Sequence, residues 1–182
     1  PIPSRGLGDV YKRQVVIFGA TGDLTHRKLI PALYNLAADG DLPAGLRVVG
    51  FARREKSDDV FREGLEELNK EVSRQGHDED LWKQFSQSIN YHQSTFTDEE
   101  GYAKLKKKLD AMEKDGASPN RLYELASAPE FFDDILLNLK KASLNESDTG
   151  WCRAVVEKPF GTDLATAQHL NEVVNEVFPE KE

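Results

Sequence analysis

The sequence predicts an α/β fold, a Rossmann-like doubly wound parallel sheet with helices on both faces. Three observations carry that expectation. Short β-branched and aromatic runs alternate along the chain with longer stretches of helical periodicity, the pattern of repeated βα units. The first run, Val15-Val16-Ile17-Phe18, breaks into the glycine turn Gly19-Ala20-Thr21-Gly22-Asp23-Leu24 just before a helical pattern begins. A length of 182 residues suits one such domain with a sizeable core.

Taken in order, the run from Val15 fits a buried parallel strand. Gly19 and Gly22 let backbone N–H groups come close to phosphate oxygens, and the next helix offers its orphan donors and positive dipole end. That is how a strand hands a nucleotide pyrophosphate to a helix. Thr25 stands where such turns often carry a third glycine. The helix from about Leu24 to Ala38 has its apolar stripe at Leu29, Leu33 and Leu36, and Pro43 and Gly45 clear the way for a strand over Leu46 to Phe51. An NAD site places an acidic residue at the end of that strand for the ribose 2′-hydroxyl, but this chain carries Ala52-Arg53-Arg54. A guanidinium grips a 2′-phosphate through charge-assisted hydrogen bonds, so Arg53 argues for NADP. The plainer alternative is that Arg53 and Arg54 are solvated charges closing a strand.

Ser57 caps a polar helix running to about Gln75, with Val60, Phe61, Leu65, Leu68 and Val72 facing inward. A shorter helix around Leu81 to Phe85 precedes a strand near Ile89 to His92. Thr97 with Glu100 reads as a capping box for a helix over Asp98 to Lys114. Then come a strand from Arg121 to Ala126, a helix from Pro129 to Ala142, a strand from Trp151 to Val156 and a last helix from Asp163 to Val177. Metal-ligand spacings, internal repeats and low-complexity tracts are not apparent.

The net charge of −8 argues against nonspecific nucleic-acid binding. Basic residues cluster only at His26-Arg27-Lys28 and Arg53-Arg54, which suits a small anionic ligand. The single cysteine, Cys152, cannot form an internal disulfide and reads as a small buried hydrophobe. With no run of membrane-spanning length and no signal-peptide pattern, a cytoplasmic protein without membrane attachment is the default. Residues 1–14 lack periodicity and resemble a translated adaptor leader, the alternative being a short N-terminal arm, so the coenzyme-binding domain is taken as 15–182.

The segment Glu157-Lys158-Pro159-Phe160-Gly161 matches the E-K-P-F-G signature of the glucose-6-phosphate dehydrogenase family. Gly19 to Lys28 resembles that family's G-A-S-G-D-L-A-x-R-K turn, Gly50-Phe51-Ala52-Arg53 its G-x-A-R element, and Asn120 to Ala126 its N-R-L-F-Y-L-A strand. The resemblance runs from about Val15 to the last residue. It implies the family's fold and activity, oxidation of glucose 6-phosphate to 6-phosphogluconolactone with hydride transfer to NADP in the oxidative pentose phosphate route.

Carried over residue by residue, Gly19, Ala20, Thr21, Gly22, Asp23, Leu24, Thr25 and His26 would form the cofactor turn, Thr21 near the 2′-phosphate. Arg53 would clamp that phosphate, and Lys158 would sit where nicotinamide and sugar meet. Lys158 and Lys28 would hold the sugar phosphate, and Pro159 corresponds to a family proline with a cis bond. Glu124 departs from the family pattern, placing a carboxylate where an aromatic residue packs on the cofactor.

The resemblance further implies that this chain is a coenzyme domain cut before the catalytic domain, which holds the general-base histidine and the family's dimer interface. His26, His77, His92 and His169 fall on the turn, a linker, a strand and the last helix, and none replaces that base. No catalytic residue is therefore assigned and the chain alone is expected to be inactive, its parent being a homo-oligomer. Two rival readings are a nucleotide-binding module without chemistry and an atypical short-chain reductase. The latter needs a Tyr-x-x-x-Lys pair, and Tyr102 with Lys106 lies on a polar capped helix instead.

Overall fold

The computed structural model describes residues 13–42, 45–73 and 76–179. Five strands form one sheet: β1 (Gln14–Phe18), β2 (Arg47–Ala52), β3 (Ile89–Gln93), β4 (Arg121–Leu125) and β5 (Cys152–Val156). Their spatial order is β3-β2-β1-β4-β5 and every neighbouring pair is parallel. The order grows one way from β1 to β3 and then reverses to β4, so the crevice at the strand ends between β1 and β4 is the topological switch point.

The helices divide between the two faces. On one side lie α1 (Ile30–Ala38), α2 (Asp58–Val72) and α3 (Glu79–Ser86), burying Ile30, Tyr34, Phe61, Leu65, Trp82 and Phe85 against Ile17, Val48 and Ile89. On the other lie α4 (Glu99–Lys114), α5 (Phe132–Lys141) and α6 (Leu164–Val177). These pack Leu105, Ile135, Leu139 and Val173 on Val16, Phe18, Val49, Phe51, Tyr123 and Leu125. Alternation along the central strands supplies both cores, as a sheet covered on two faces requires. Among the described residues no helix is long and apolar enough to cross a membrane.

Several local expectations are corrected. The chain does not enter α1 as a regular helix. It forms a π turn at Thr25–Leu29, with the Ile30 N–H bonded to the Thr25 carbonyl. One extra residue per turn rotates everything after it by about 100°. The buried residues are consequently Ile30, Pro31 and Tyr34, while Leu29 and Leu33 are half-buried and Leu36 is 42% exposed. In α2 the inward seam is Phe61, Leu65 and Asn69, and Val60 is exposed. Ser57 caps that helix as expected, accepting from the Val60 N–H. The cap of α4 is Asp98, which accepts from the Glu100 N–H, in place of the Thr97 box. A 3₁₀ turn at Pro129–Phe131 takes the place of the first turn of α5.

β1 begins at Gln14, whose buried side chain donates to the Ser118 carbonyl at 2.7 Å, so this residue belongs to the sheet and not to a leader. Arg13 lies against the Trp151 ring. The rest of the expected leader lies outside the described residues, as does Pro43, and the polar helix expected to run to about Gln75 ends at Val72, where Ser73 turns to an extended backbone.

Candidate functional site

The crevice at the switch point is a cleft of about 440 Å³. Its walls come from the segments that leave four strands at their C-terminal ends. Gly19, Thr21 and Gly22 follow β1, Ala52 ends β2 and Arg53 comes directly after it. Ser94 to Thr97 follow β3, and Ala126, Ser127, Ala128 and Phe131 follow β4.

The turn after β1 is held by its own backbone. The Gly19 and Ala20 N–H groups both donate to the Phe51 carbonyl, at 3.0 and 3.2 Å, and the Gly22 N–H donates to the Gly19 carbonyl at 2.9 Å. Thr25, fully buried, returns to the same carbonyl through its hydroxyl at 3.2 Å. That bond ties the first residue of the π turn to the first glycine. Gly19 has φ +91°, and a Cβ there would stand 2.7 Å from the Ala126 carbonyl oxygen, so both conformation and space require glycine. A Cβ on Gly50 would meet the Phe61 ring at 2.6 Å and the Ala20 methyl at 2.8 Å, which is how the turn comes to sit on α2.

The positions singled out in the sequence separate into groups. Gly19, Thr21, Gly22 and Arg53 line the cleft. Ala20 and Thr25 are buried beneath it and support the turn, with Leu24 half-buried. Asp23 is exposed and pairs with Arg27 at 3.6 Å. His26 is half-buried beside the Ala20 backbone. Burial lowers its proton affinity, the Ala20 backbone raises it, and nearby Lys56 lowers it further. Its Nε2 is buried without a partner among the described residues.

Arg53 is exposed at the cleft rim, and its guanidinium makes no hydrogen bond or ion pair among the described residues. Lys28, on the π turn, and Lys158, just beyond β5, are exposed and likewise unpaired there, and neither lines the cleft. The Lys158–Pro159 bond is cis, as the resemblance implied.

Glu124, the position at which the resemblance puts an aromatic residue on the cofactor, does not line this cleft. It pairs in register with Ile17, and both point to the α1 side of the sheet, while Tyr123 and Leu125 enter the opposite core. Glu124 lines a separate groove of about 450 Å³ with Leu29, Leu33, Val15 and Leu122. It is only 8% exposed, and its carboxyl is pushed up to about 8 by burial first and then by Glu157.

The remaining histidines have structural partners. His77 is bonded to Asn69 and Glu66, His92 to the Gly101 carbonyl at 2.8 Å, and His169 to Asp133 at 2.6 Å. Among the described residues no group of three or more His, Cys, Asp or Glu side chains could hold a metal ion.

Sequence reasoning missed the wall formed by Ser94-Thr95-Phe96-Thr97 and by Ser127, Ala128 and Phe131. The Phe96 and Phe131 rings lie 5.1 Å apart, and Phe96 stacks on Phe51 at 6.0 Å. Only their place after β3 and β4 could have found them, because strand order decides which loops meet.

The family profile described as "Glucose-6-phosphate dehydrogenase, NAD binding domain" matches residues 16–182. A protein of Chlamydia pneumoniae named glucose-6-phosphate 1-dehydrogenase is 44% identical over 167 residues, covering 89% of this chain and 33% of that protein. One of the same name from Bacillus subtilis (strain 168) is 39% identical over 170 residues, covering 93% and 34%. Among solved structures, one described as glucose-6-phosphate dehydrogenase in complex with its substrate glucose-6-phosphate superposes with a TM-score of 0.82 at 33% identity, covering 92% of this chain and 34% of that one. Glucose-6-phosphate 1-dehydrogenase from Mycobacterium avium gives a TM-score of 0.79 at 31% identity, with the same coverage of 92% and 34%. The chain spans about a third of the length of these relatives.

Proposed function

Because the chain belongs to the glucose-6-phosphate dehydrogenase family and supplies its NAD binding domain, we propose that it binds NADP in the switch-point cleft and serves the cytoplasmic oxidation of glucose 6-phosphate to 6-phosphogluconolactone. Bound there, NADP supplies the hydride acceptor. The glycine turn would cradle the pyrophosphate, since Gly19 and Gly22 bring backbone to the wall without side chains and the π turn follows directly. Phe96 and Phe131 give the cleft an apolar aromatic wall suited to a planar base. Lys158 and Lys28, both exposed and without a partner among the described residues, would receive the anionic sugar phosphate at the mouth of the site.

The observation that carries the choice of NADP is the guanidinium of Arg53, unpaired among the described residues, at the cleft rim directly after β2. A carboxylate at that position would accept from a ribose 2′-hydroxyl, whereas Arg53 offers a planar pair of donors to a 2′-phosphate. Calorimetric titration of the 182-residue chain with NADP and with NAD tests the reading. Arg53→Ala is expected to weaken NADP by about 1.5–3 kcal/mol, roughly ten- to hundred-fold, and to leave NAD nearly unchanged. Equal losses for both dinucleotides would remove Arg53 from the 2′-phosphate.

A further inference from the structure

The aromatic wall of the cleft is anchored at one backbone carbonyl. The loop after β3 starts in register, with the Ser94 N–H donating to the Ala52 carbonyl at 3.0 Å. A Cβ on Gly101 would stand 1.8 Å from Ser94 Oγ, so α4 presses directly on the start of the loop. Two residues further on, side chains take over. Tyr102 Oη, in the first turn of α4, donates to the Phe96 carbonyl at 2.8 Å, and Asn138 Nδ2, on α5, donates to the same oxygen at 3.1 Å. A carbonyl oxygen has two lone pairs, and both are thereby used.

Neither donor is there for want of an apolar alternative. Tyr102 is fully buried, and Asn138 is 7% exposed on a helix whose Ile135, Leu136 and Leu139 are fully buried. Asparagine is a poor former of helix interiors, and a buried amide costs stability unless it is bonded. Leucine at that position would suit both helix and core, so the bond to Phe96 is what asparagine adds. Burial first, and then the charge of Asp134, raise the Tyr102 hydroxyl above its ordinary range, so it remains a donor.

The Phe96 ring contacts Phe51 at 6.0 Å and Phe131 at 5.1 Å, and Phe96 and Phe131 both line the cleft. Their loops leave β3 and β4, which are separated in the sheet by β2 and β1. No ladder between those two strands can therefore set the spacing of the rings. Phe131 ends the 3₁₀ turn that leads into α5, the helix that carries Asn138. One amide thus joins the loop that holds the first ring to the helix that follows the second.

We propose that Asn138 and Tyr102 are positioning residues for the dinucleotide: they lock the Phe96 carbonyl, and Asn138 holds the Phe96 ring against Phe131 as one surface for a planar base. Neither side chain lines the cleft, so both act through Phe96. That the surface receives a base of NADP rests on the proposed function, but the link from Asn138 to the ring pair does not.

Asn138→Leu removes the donor and keeps the size, while Tyr102 still satisfies the carbonyl. NMR of the ligand-free 182-residue chain reads the link. The Phe96 carbonyl ¹³C resonance is expected to move in this variant, and the nuclear Overhauser contacts between the Phe96 and Phe131 rings to weaken. Calorimetry reads the consequence: NADP and NAD should both weaken by the same factor, roughly three- to ten-fold, in contrast to Arg53→Ala, whose loss is confined to NADP. The urea midpoint should stay level or rise, which separates positioning from loss of fold. Unchanged ring contacts overturn the inference whether or not a dinucleotide binds. Weakened ring contacts with unchanged affinities overturn the role toward the dinucleotide, as does a lowered midpoint with unchanged affinities. A wild-type chain that binds neither dinucleotide would sink the proposed function instead, and the ring contacts would then decide the link by themselves. Should Asn138→Leu fail to fold, Tyr102→Phe, which removes a single oxygen, decides by the same readings.

Discussion

At Gly19 two independent constraints coincide, a backbone at φ +91° and a carbonyl oxygen 2.7 Å from where a Cβ would stand. The oxygen belongs to Ala126, whose N–H bonds to the Phe18 carbonyl and continues the pairing of β4 with β1. Backbone in that position cannot give way as a flexible side chain can. Gly19→Ala is therefore expected to cost about 1–3 kcal/mol in stability, from strain at a positive φ plus displacement of the loop after β4. Urea denaturation measures it, and an unchanged midpoint would show that the turn adapts freely. The same substitution should weaken dinucleotide binding, because it pushes apart the two walls of the cleft. Gly19 and Arg53 could be read from the sequence because their requirement is local, a turn after one strand and a charge at the end of the next. The orientation of Glu124 could not. Side-chain alternation puts every second residue of β4 on the same face, but which face carries α1 is decided by packing.

Element boundaries were legible wherever a cap or an apolar run stood alone. They blurred where a local bond redirected the chain. Thr25 returning to the Gly19 carbonyl accompanies a π turn that no periodicity in Leu24 to Ala38 announces, and the rotation exchanges one stripe for its neighbour. Asp98 displaced Thr97 as cap because its carboxylate reaches the first-turn N–H of Glu100 and carries charge toward the dipole's positive end.

The seam between α5 and α6 was invisible for a different reason, since it joins residues far apart in the chain. Asp133 pairs with His169 at 2.6 Å and Lys140 with Glu176 at 2.7 Å, each partner seven residues beyond the first in its own helix. The bond to Asp133, and then its charge, raise the proton affinity of His169 above the ordinary value of 6.5. A raised folded-state value means that the pair's contribution is fully present below the unfolded value and is lost as pH rises through the folded one. An NMR titration of His169 should accordingly show a midpoint above 6.5, and Asp133→Asn should bring it back toward that value. A midpoint untouched by the substitution would mean that the pair is not formed in solution.

For the whole molecule, the two cores meet in the central strands, and the groove on the α1 side is the place where a buried acidic group enters mostly apolar surroundings. Glu124 links stability to pH there with a sign opposite to that of a salt-bridged carboxylate. Its affinity for the proton is raised in the folded protein, from an ordinary 4.5 to about 8, chiefly by burial and then by Glu157. Between those values the unfolded chain has released the proton and the folded one still holds it. The unfolded state then binds fewer protons, so stability falls as pH rises across that window and levels off above it. Below the window both states are protonated and the carboxyl contributes no pH dependence. Glu124→Gln removes the ionisable group yet keeps a donor facing Glu157. The variant should match the parent near pH 4 and exceed it by roughly 1–3 kcal/mol near pH 8, because only the parent must keep a proton that its unfolded form gives up. Urea midpoints at the two pH values measure the difference. A gain of equal size at both would come from packing in the groove and not from the proton, and a loss near pH 8 would mean that the charged pair is stabilised by a cation, with Arg13, on the same groove, the first to be tested.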